Sequence, residues 1–142
     1  MEALFFEYFE RRRREFKRYS SGVLTDRELD GMFGMAADGR AALVFANVPL
    51  DDRAFVAIRE RLVVSAVDLV EIIEYSYYLV DLDAGEVRGY DLDPSHTPPA
   101  HRHVGSDHRR EPCGRVTLRQ AIEDFWDQLD DLRSQEDEPG RG

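Results

Sequence analysis

Residues 75–92 read YSYYLVDLDAGEVRGYDL, and the fold follows from how this run is parsed. Tyr75 to Leu82 is dense in aromatic and branched residues, as strands are. Glu86 to Leu92 is a second short run of the same kind. Between them Asp83-Ala84-Gly85 is a polar loop with Gly where a left-handed residue is usually needed. Two such runs this close form an antiparallel hairpin. Tyrosines at 75, 77 and 78 occupy both faces of the first strand, which predicts an internal strand covered on each side.

Upstream, Ala41 to Val48 (AALVFANV) reads as a strand ended by Pro49, and Pro49-Leu50-Asp51-Asp52 reads as a turn. In Phe55 to Val64 the positions Val56, Ile58, Leu62 and Val64 alternate, with Glu60 the exception. Branched content favours strand over helix there. Val67 to Val80 continues as a long strand, bent or split near Glu74.

The ends are helical. Phe5, Phe9, Phe16 and Tyr19 recur near helical spacing in residues 1–19. Thr25 with Glu28 matches a capping box, and Leu29, Met32, Phe33 and Ala36 supply an apolar face. Gly31 and Gly34 weaken that second helix. Near the C-terminus Thr117 and Gln120 form another box. Leu118, Ala121, Ile122, Phe125, Leu129 and Leu132 then make one apolar stripe. Residues 93–115 show no periodicity and read as an irregular segment.

The expected class is α+β: a mostly antiparallel sheet of four to five strands, N-terminal helices and one C-terminal amphipathic helix. The expected organisation is a helical extension over 1–40, an α+β domain over 41–133 and a disordered acidic tail over 134–142.

Composition narrows the functional classes. Asp and Glu number 29 against 19 Lys and Arg, a net charge of −10, and Lys17 is the only lysine. Such an acidic balance argues against nucleic-acid binding by bulk attraction and fits a protein kept soluble in high salt. The Arg-for-Lys bias reads as a GC-rich genome. No run approaches the ~20 apolar residues that span a bilayer, so no membrane partner is expected. A single cysteine, Cys113, excludes an internal disulfide, and the default compartment is cytoplasmic. The one dense basic cluster is Arg11 to Arg14 with Lys17 and Arg18. It reads either as a solvated helix face paired with acids or as a contact for RNA or an acidic partner.

All four histidines, His96, His101, His103 and His108, fall between 96 and 108. His101 and His103 are two apart, so in extended chain they share a face. Three chemistries are open. In the first, histidines act as acid and base in RNA cleavage, with an arginine holding the phosphate. In the second, zinc or another divalent metal sits at His96, His101 and His103, although the spacing matches no strong metal signature. In the third, the histidines pin a Pro-rich loop and no catalysis follows. Cys113 reads as a small buried residue rather than a nucleophile.

The run Gly89-Tyr90-Asp91-Leu92-Asp93-Pro94-Ser95-His96, followed by His101-Arg102-His103, resembles the signature of the TumE-like toxins of toxin–antitoxin systems. Members carry R-Y-D-N-x-P-H-H and then H-x-H. Tyr90, Asp91, Pro94, His96, His101 and His103 fall on matching positions. Gly89 stands where the family has Arg, Leu92 where it has Asn and Ser95 where it has the first His. The resemblance implies a small α+β domain, a toxin role neutralised by an antitoxin partner and an RNA substrate. On that reading the chain is a ribonuclease-type hydrolase. His96, His101, His103 and Asp91 are its catalytic candidates, and Arg102, Arg109 and Tyr90 bind substrate. The alternatives are a non-enzymatic interaction domain of the same fold and a small metal-dependent hydrolase.

Overall fold

The computed structural model describes residues 2–105 and 109–136. Helix α1 (Glu2–Tyr19) and a one-turn helix α2 (Asp26–Asp30) precede seven strands. These are β1 (Phe33–Met35), β2 (Ala41–Pro49), β3 (Ala54–Val64), β4 (Val70–Asp81), β5 (Gly85–Leu92), β6 (Ala100–Val104) and β7 (Arg109–Pro112). Helix α3 (Leu118–Glu136) closes the chain. The strands form one sheet in sequence order, every neighbouring pair antiparallel. The class is therefore α+β, as expected.

The hairpin at the centre forms as its sequence reads, but its first strand is covered on one face only: Tyr75 and Tyr77 are buried, while Tyr78 lies on the open face. Tyr75 pairs with Leu92 and Tyr77 with Tyr90, and Gly85 takes a positive φ of 77°. The Asp81 carboxylate accepts from the Asp83 and Ala84 amides and tightens the turn. The bend in β4 is also real. Arg61 pairs with Glu74 but Leu62 with Ile72, so Ile73 is an extra residue. This bulge keeps Ile72 and Tyr75 on one face although they are three apart.

Three strands depart from the expectation. The helical face proposed through Phe33 and Ala36 stops at Asp30. Gly31 caps α2, and Phe33–Met35 pairs with Ala42–Val44 as an edge strand. The Phe33 ring then packs on Phe9 and Phe16, with centroids 5.0 and 5.9 Å apart. The segment 93–115, expected to be irregular, carries β6 and β7. Its strands are short and rich in His and Arg, so no apolar alternation marks them. The sheet has seven strands rather than four to five.

Helices α1 and α3 cover one face of the sheet. Phe5, Phe9 and Phe16 from α1 join the core, so residues 1–40 share the hydrophobic cluster of the sheet. The α3 stripe of Leu118, Ala121, Ile122, Phe125 and Leu129 is buried as predicted, and the helix runs to Glu136, three residues into the expected tail. Residues 137–142 of that tail lie outside the described residues. The opposite face of the sheet is open: Leu43 and Phe45 are more than half exposed.

One polar group sits in the middle of the covered face. Glu60, the exception to the β3 alternation, is 1 % exposed. Its carboxylate accepts from Arg12 Nε at 2.9 Å, Arg12 Nη2 at 2.7 Å, the Tyr8 hydroxyl at 2.7 Å and the Tyr77 hydroxyl at 2.5 Å. Burial, then the Glu60 charge, push both phenols well above their usual range, so they remain donors. Burial works against the Arg12 charge, but the bonds to Glu60 more than offset it. Arg12 therefore belongs to the core and not to a solvated face. Replacing Glu60 by Ala leaves two buried hydroxyls without their acceptor and the Arg12 guanidinium with Glu15 alone, at 2.9 Å. The expected loss is about 3–5 kcal/mol in urea unfolding. Tyr8→Phe, which leaves three of the four bonds, should cost about 1 kcal/mol.

Candidate functional site

Strand alternation sorts the predicted residues onto two faces. On β5, Gly89 and Asp91 point to the open face, while Arg88 and Tyr90 point toward α3. On β6, His101 and His103 are open-facing and Arg102 is not. Register completes the assembly: Asp91 pairs with His101, Gly89 with His103 and Tyr78 with Gly89. His101 and His103 therefore stand on a strand next to Asp91, and among the described histidines the expectation of a histidine-rich loop applies to His96.

Asp91 is the centre of the cluster. Its Oδ2 accepts from the Tyr78 hydroxyl at 2.5 Å. The same oxygen lies 2.7 Å from His103 Nε2 and 3.8 Å from His101 Nε2. The His101 and His103 rings are 5.1 Å apart by centroid, and the His96 ring is 5.5 Å from that of His101. His101 is 5 % exposed. Burial holds it below the usual imidazole pKa, against the pull of Asp91, and neighbouring His103 and Arg110 add to the depression. Burial and the bond to Asp91 raise the Tyr78 phenol far above its usual range, so it stays a donor.

His96 enters from the turn after β5. Its amide donates to the Asp93 carbonyl at 3.0 Å, and its Nε2 lies 3.6 Å from Asp93 Oδ2. Its Nδ1 is buried without a partner among the described residues. His96, His101 and Asp91 together border a groove of about 380 Å³ on the open face. Arg59, Arg61 and Phe45 form its other wall. The Arg59 guanidinium lies 5.3 Å from the centre of the Phe45 ring. His103 lies behind this groove against Tyr78, ring centroids 5.6 Å apart.

The three substrate-binding candidates do not join the groove. Tyr90 turns inward, donates to Asp124 at 2.8 Å and packs on Phe125. Burial, then Asp124, push its phenol up to about 12. Arg102 turns the same way and pairs with Glu111. Arg109 is exposed and also bonds Glu111, at 3.1 Å. The physical reason is the two-residue period: neighbours of Asp91, His101 and His103 must face away from them. The cations that do face the histidines are Arg59 and Arg61 from β3, and Arg110, paired with His103 across β6 and β7. Sequence reasoning singles out none of these three as a site residue. For Arg59 and Arg61 the signal is the same alternation, since they flank Glu60. His108 and Asp107 lie outside the described residues. Cys113 is half-buried, and burial raises its thiol pKa, so it is no thiolate nucleophile.

A metal would fit a different trio from the one expected. One ligand atom each from Asp91, His101 and His103 lies within 4.8 Å of the others. His96 is not in that set. The His103 Nε2 is buried and makes no directed hydrogen bond, which leaves it available as a ligand atom.

Gly89 is what lets Tyr78 reach Asp91. A Cβ at position 89 would sit 2.2 Å from Tyr78 Cε1. The expected effect of Gly89→Ala is a displaced ring and a broken Tyr78–Asp91 bond, read as a spectral and chemical-shift change at Tyr78 and His103. Tyr78→Ala in the same chain should remove the clash and recover the stability that Gly89→Ala alone gives up. Additive losses in the pair would contradict this account.

Among known protein families, residues 11–133 fit the model described as Toxin TumE. The match starts within α1, so it takes in most of the stretch expected to be an extension. No curated protein and no solved structure matches significantly.

Proposed function

The chain belongs to the TumE toxin family, the toxin side of a toxin–antitoxin pair, and we propose that it acts by cleaving RNA in the groove of His96 and His101. The observation that carries this reading is the meeting of His96, His101, Asp91, Arg59 and Arg61 around one groove, where Glu74 pairs with Arg61 at 3.2 Å. RNA cleavage through its own 2′-hydroxyl needs a base, an acid and positive charge at the phosphate. His101 supplies the base, because burial keeps its imidazole neutral near pH 7. It takes the 2′-hydroxyl proton as O2′ attacks phosphorus. The P–O5′ bond breaks, and His96 gives its proton to the departing O5′. The products are a 2′,3′-cyclic phosphate and a 5′-hydroxyl. Arg59 and Arg61 hold the phosphate oxygens. Phe45 offers a surface on which a base can stack. Asp91, held by Tyr78, and His103 behind it are positioning residues for His101.

A second reading draws on the same cluster. Asp91, His101 and His103 carry three ligand atoms suited to a divalent ion such as zinc. A bound ion there would act as a Lewis acid on the phosphate. The acid–base reading is preferred because His96 and the two arginines take part in it.

The antitoxin is the natural partner of such a protein, and growth under induced expression is the direct test. Wild-type expression should arrest growth, and His96→Ala or His101→Ala should relieve it while remaining folded by circular dichroism. On purified protein each variant should lose about 10²–10⁴ in RNA cleavage rate. The acid limb of the rate profile should rise through a pKa below 6.5, since His101 must lose its proton to act and burial lowers its pKa. Full activity in a folded His96→Ala/His101→Ala double variant would sink the proposal. Activity abolished by chelation and restored by zinc would transfer it to the metal reading.

A further inference from the structure

The basic cluster of α1 divides into three by structure. Arg12 is spent on Glu60. Arg13 and Lys17 are tied to Asp26, with Arg13 also on Asp30. Arg11, Arg14 and Arg18 remain, spaced three and four apart along one stripe of the helix. Arg14 and Arg18 are exposed, and no carboxylate among the described residues pairs with either. Arg18 only stacks on Tyr19, at 5.4 Å. Arg11 has one long ion pair, 3.7 Å to Glu15. With Arg115, whose Nη2 donates to the Ile72 carbonyl at 2.8 Å, they line a groove of about 650 Å³ between α1 and the start of α3. On a chain of net charge −10, a concentration of unpaired cations is a local feature that the global balance hides.

This groove is not isolated from the histidines. A saddle lined by Glu71, Ile72, Ile73, Leu92, Pro94, Pro99 and Arg115 lies at the start of β4 and the end of β5, Glu71 being the one carboxylate on it. It shares Ile72 and Arg115 with the basic groove and Leu92 with the histidine groove. The saddle thus lies between the basic groove on the helix side of the sheet and the groove of His96 and His101.

We infer that the arginine groove of Arg14, Arg18 and Arg115 is a second RNA subsite, binding the phosphodiester backbone of a single strand whose scissile phosphate lies at His96 and His101. This rests on the RNA reading of the histidine groove and adds an extended substrate to it. A repeated anion on a flexible chain suits the surface, because one strand reaches both grooves over the saddle. The unpaired arginines meet its phosphates, while Arg59 and Arg61 meet those at the cleavage site.

The test uses the full chain with Arg14→Ala/Arg18→Ala. Arg40→Glu, at an exposed site in the β1–β2 turn, makes the same change in net charge and serves as control. Binding is read by fluorescence anisotropy in a His101→Ala background, with a labelled single-stranded RNA long enough to span both grooves. Cleavage is read with that RNA and with a dinucleotide in the His101 background. The expected result is about tenfold weaker binding of the long RNA, with the salt slope reduced by about 0.7 for each phosphate the groove no longer holds. Its cleavage should show a raised KM, dinucleotide cleavage should be unchanged, and the control should bind as the parent does. Unchanged long-RNA binding with cleavage intact would overturn the subsite and leave the histidine reading standing. Loss of antitoxin binding with RNA affinity unchanged would overturn it in favour of an acidic protein partner. A wild type that neither binds nor cleaves RNA would overturn both.

Discussion

A single buried carboxylate sets the relation between helix and sheet. Glu60 sits on the covered face of β3 with four donors on it, two from Arg12 and one each from Tyr8 and Tyr77. Apolar packing alone holds α1 on the sheet without selecting one position, because hydrophobic contact is non-directional. The Glu60 network is directional. It requires Tyr8 and Arg12, one turn apart on α1, to meet β3 and β4 at one point. A shift of one helical turn would leave a buried charge unpaired, at a cost of several kcal/mol. The bond from Tyr77 ties the same point to the central hairpin. The fold's helix side and its site-bearing strands are thus referred to one atom group.

Strand alternation then separates structure from chemistry. Tyr75, Tyr77, Tyr90 and Arg102 turn toward the helices, where they fill the core or meet Asp124 and Glu111. Tyr78, Asp91, His101 and His103 turn the other way. The two sets interleave in sequence, one residue apart, yet perform separate tasks. The groove is therefore built on paired strands rather than on a loop. Its geometry is held by the ladder between β4, β5 and β6, which gives the side chains a rigid base. His96 is the exception, carried on a turn after β5 and fixed by Asp93.

Where local pattern carries the information, the sequence is readable. Residues 75–92 encode a hairpin through alternation and a Gly turn, the stripe from Leu118 to Leu129 encodes a helix, and Thr25 with Glu28 encodes a cap. Where long-range pairing decides, it is not. β6 and β7 hold no apolar rhythm, since His101 and Arg102 owe their strand conformation to β5. Phe33 reads as part of a helical face because its true partners, Phe9 and Phe16, are distant in the chain. Of the site, Asp91, His96, His101 and His103 are legible by residue type and by family resemblance. Tyr90 and Arg102 sit next to Asp91, His101 and His103 in sequence, which on a strand means opposite faces, and Arg109 pairs with Val104 rather than with His103. Arg59 and Arg61 are hidden by the apparent fault in β3, which is Glu60 facing the core.

Gly89 and Tyr78 give the clearest case of one position setting another's role. The family pattern carries Arg where this chain has Gly89. The Tyr78 ring here occupies the space that any side chain at 89 would need. A side chain at 89 and a tyrosine bonded to Asp91 are therefore alternatives on this face. Beside the pattern it resembles, this chain has no side chain next to His103 at position 89 and has a neutral donor, the Tyr78 hydroxyl, on Asp91. The cations on this face instead come from other strands, Arg59 and Arg61 from β3 and Arg110 from β7. Residues distant in the chain are thus brought beside one another by the sheet alone, because pairing across β3 to β7 decides which side chains share this face.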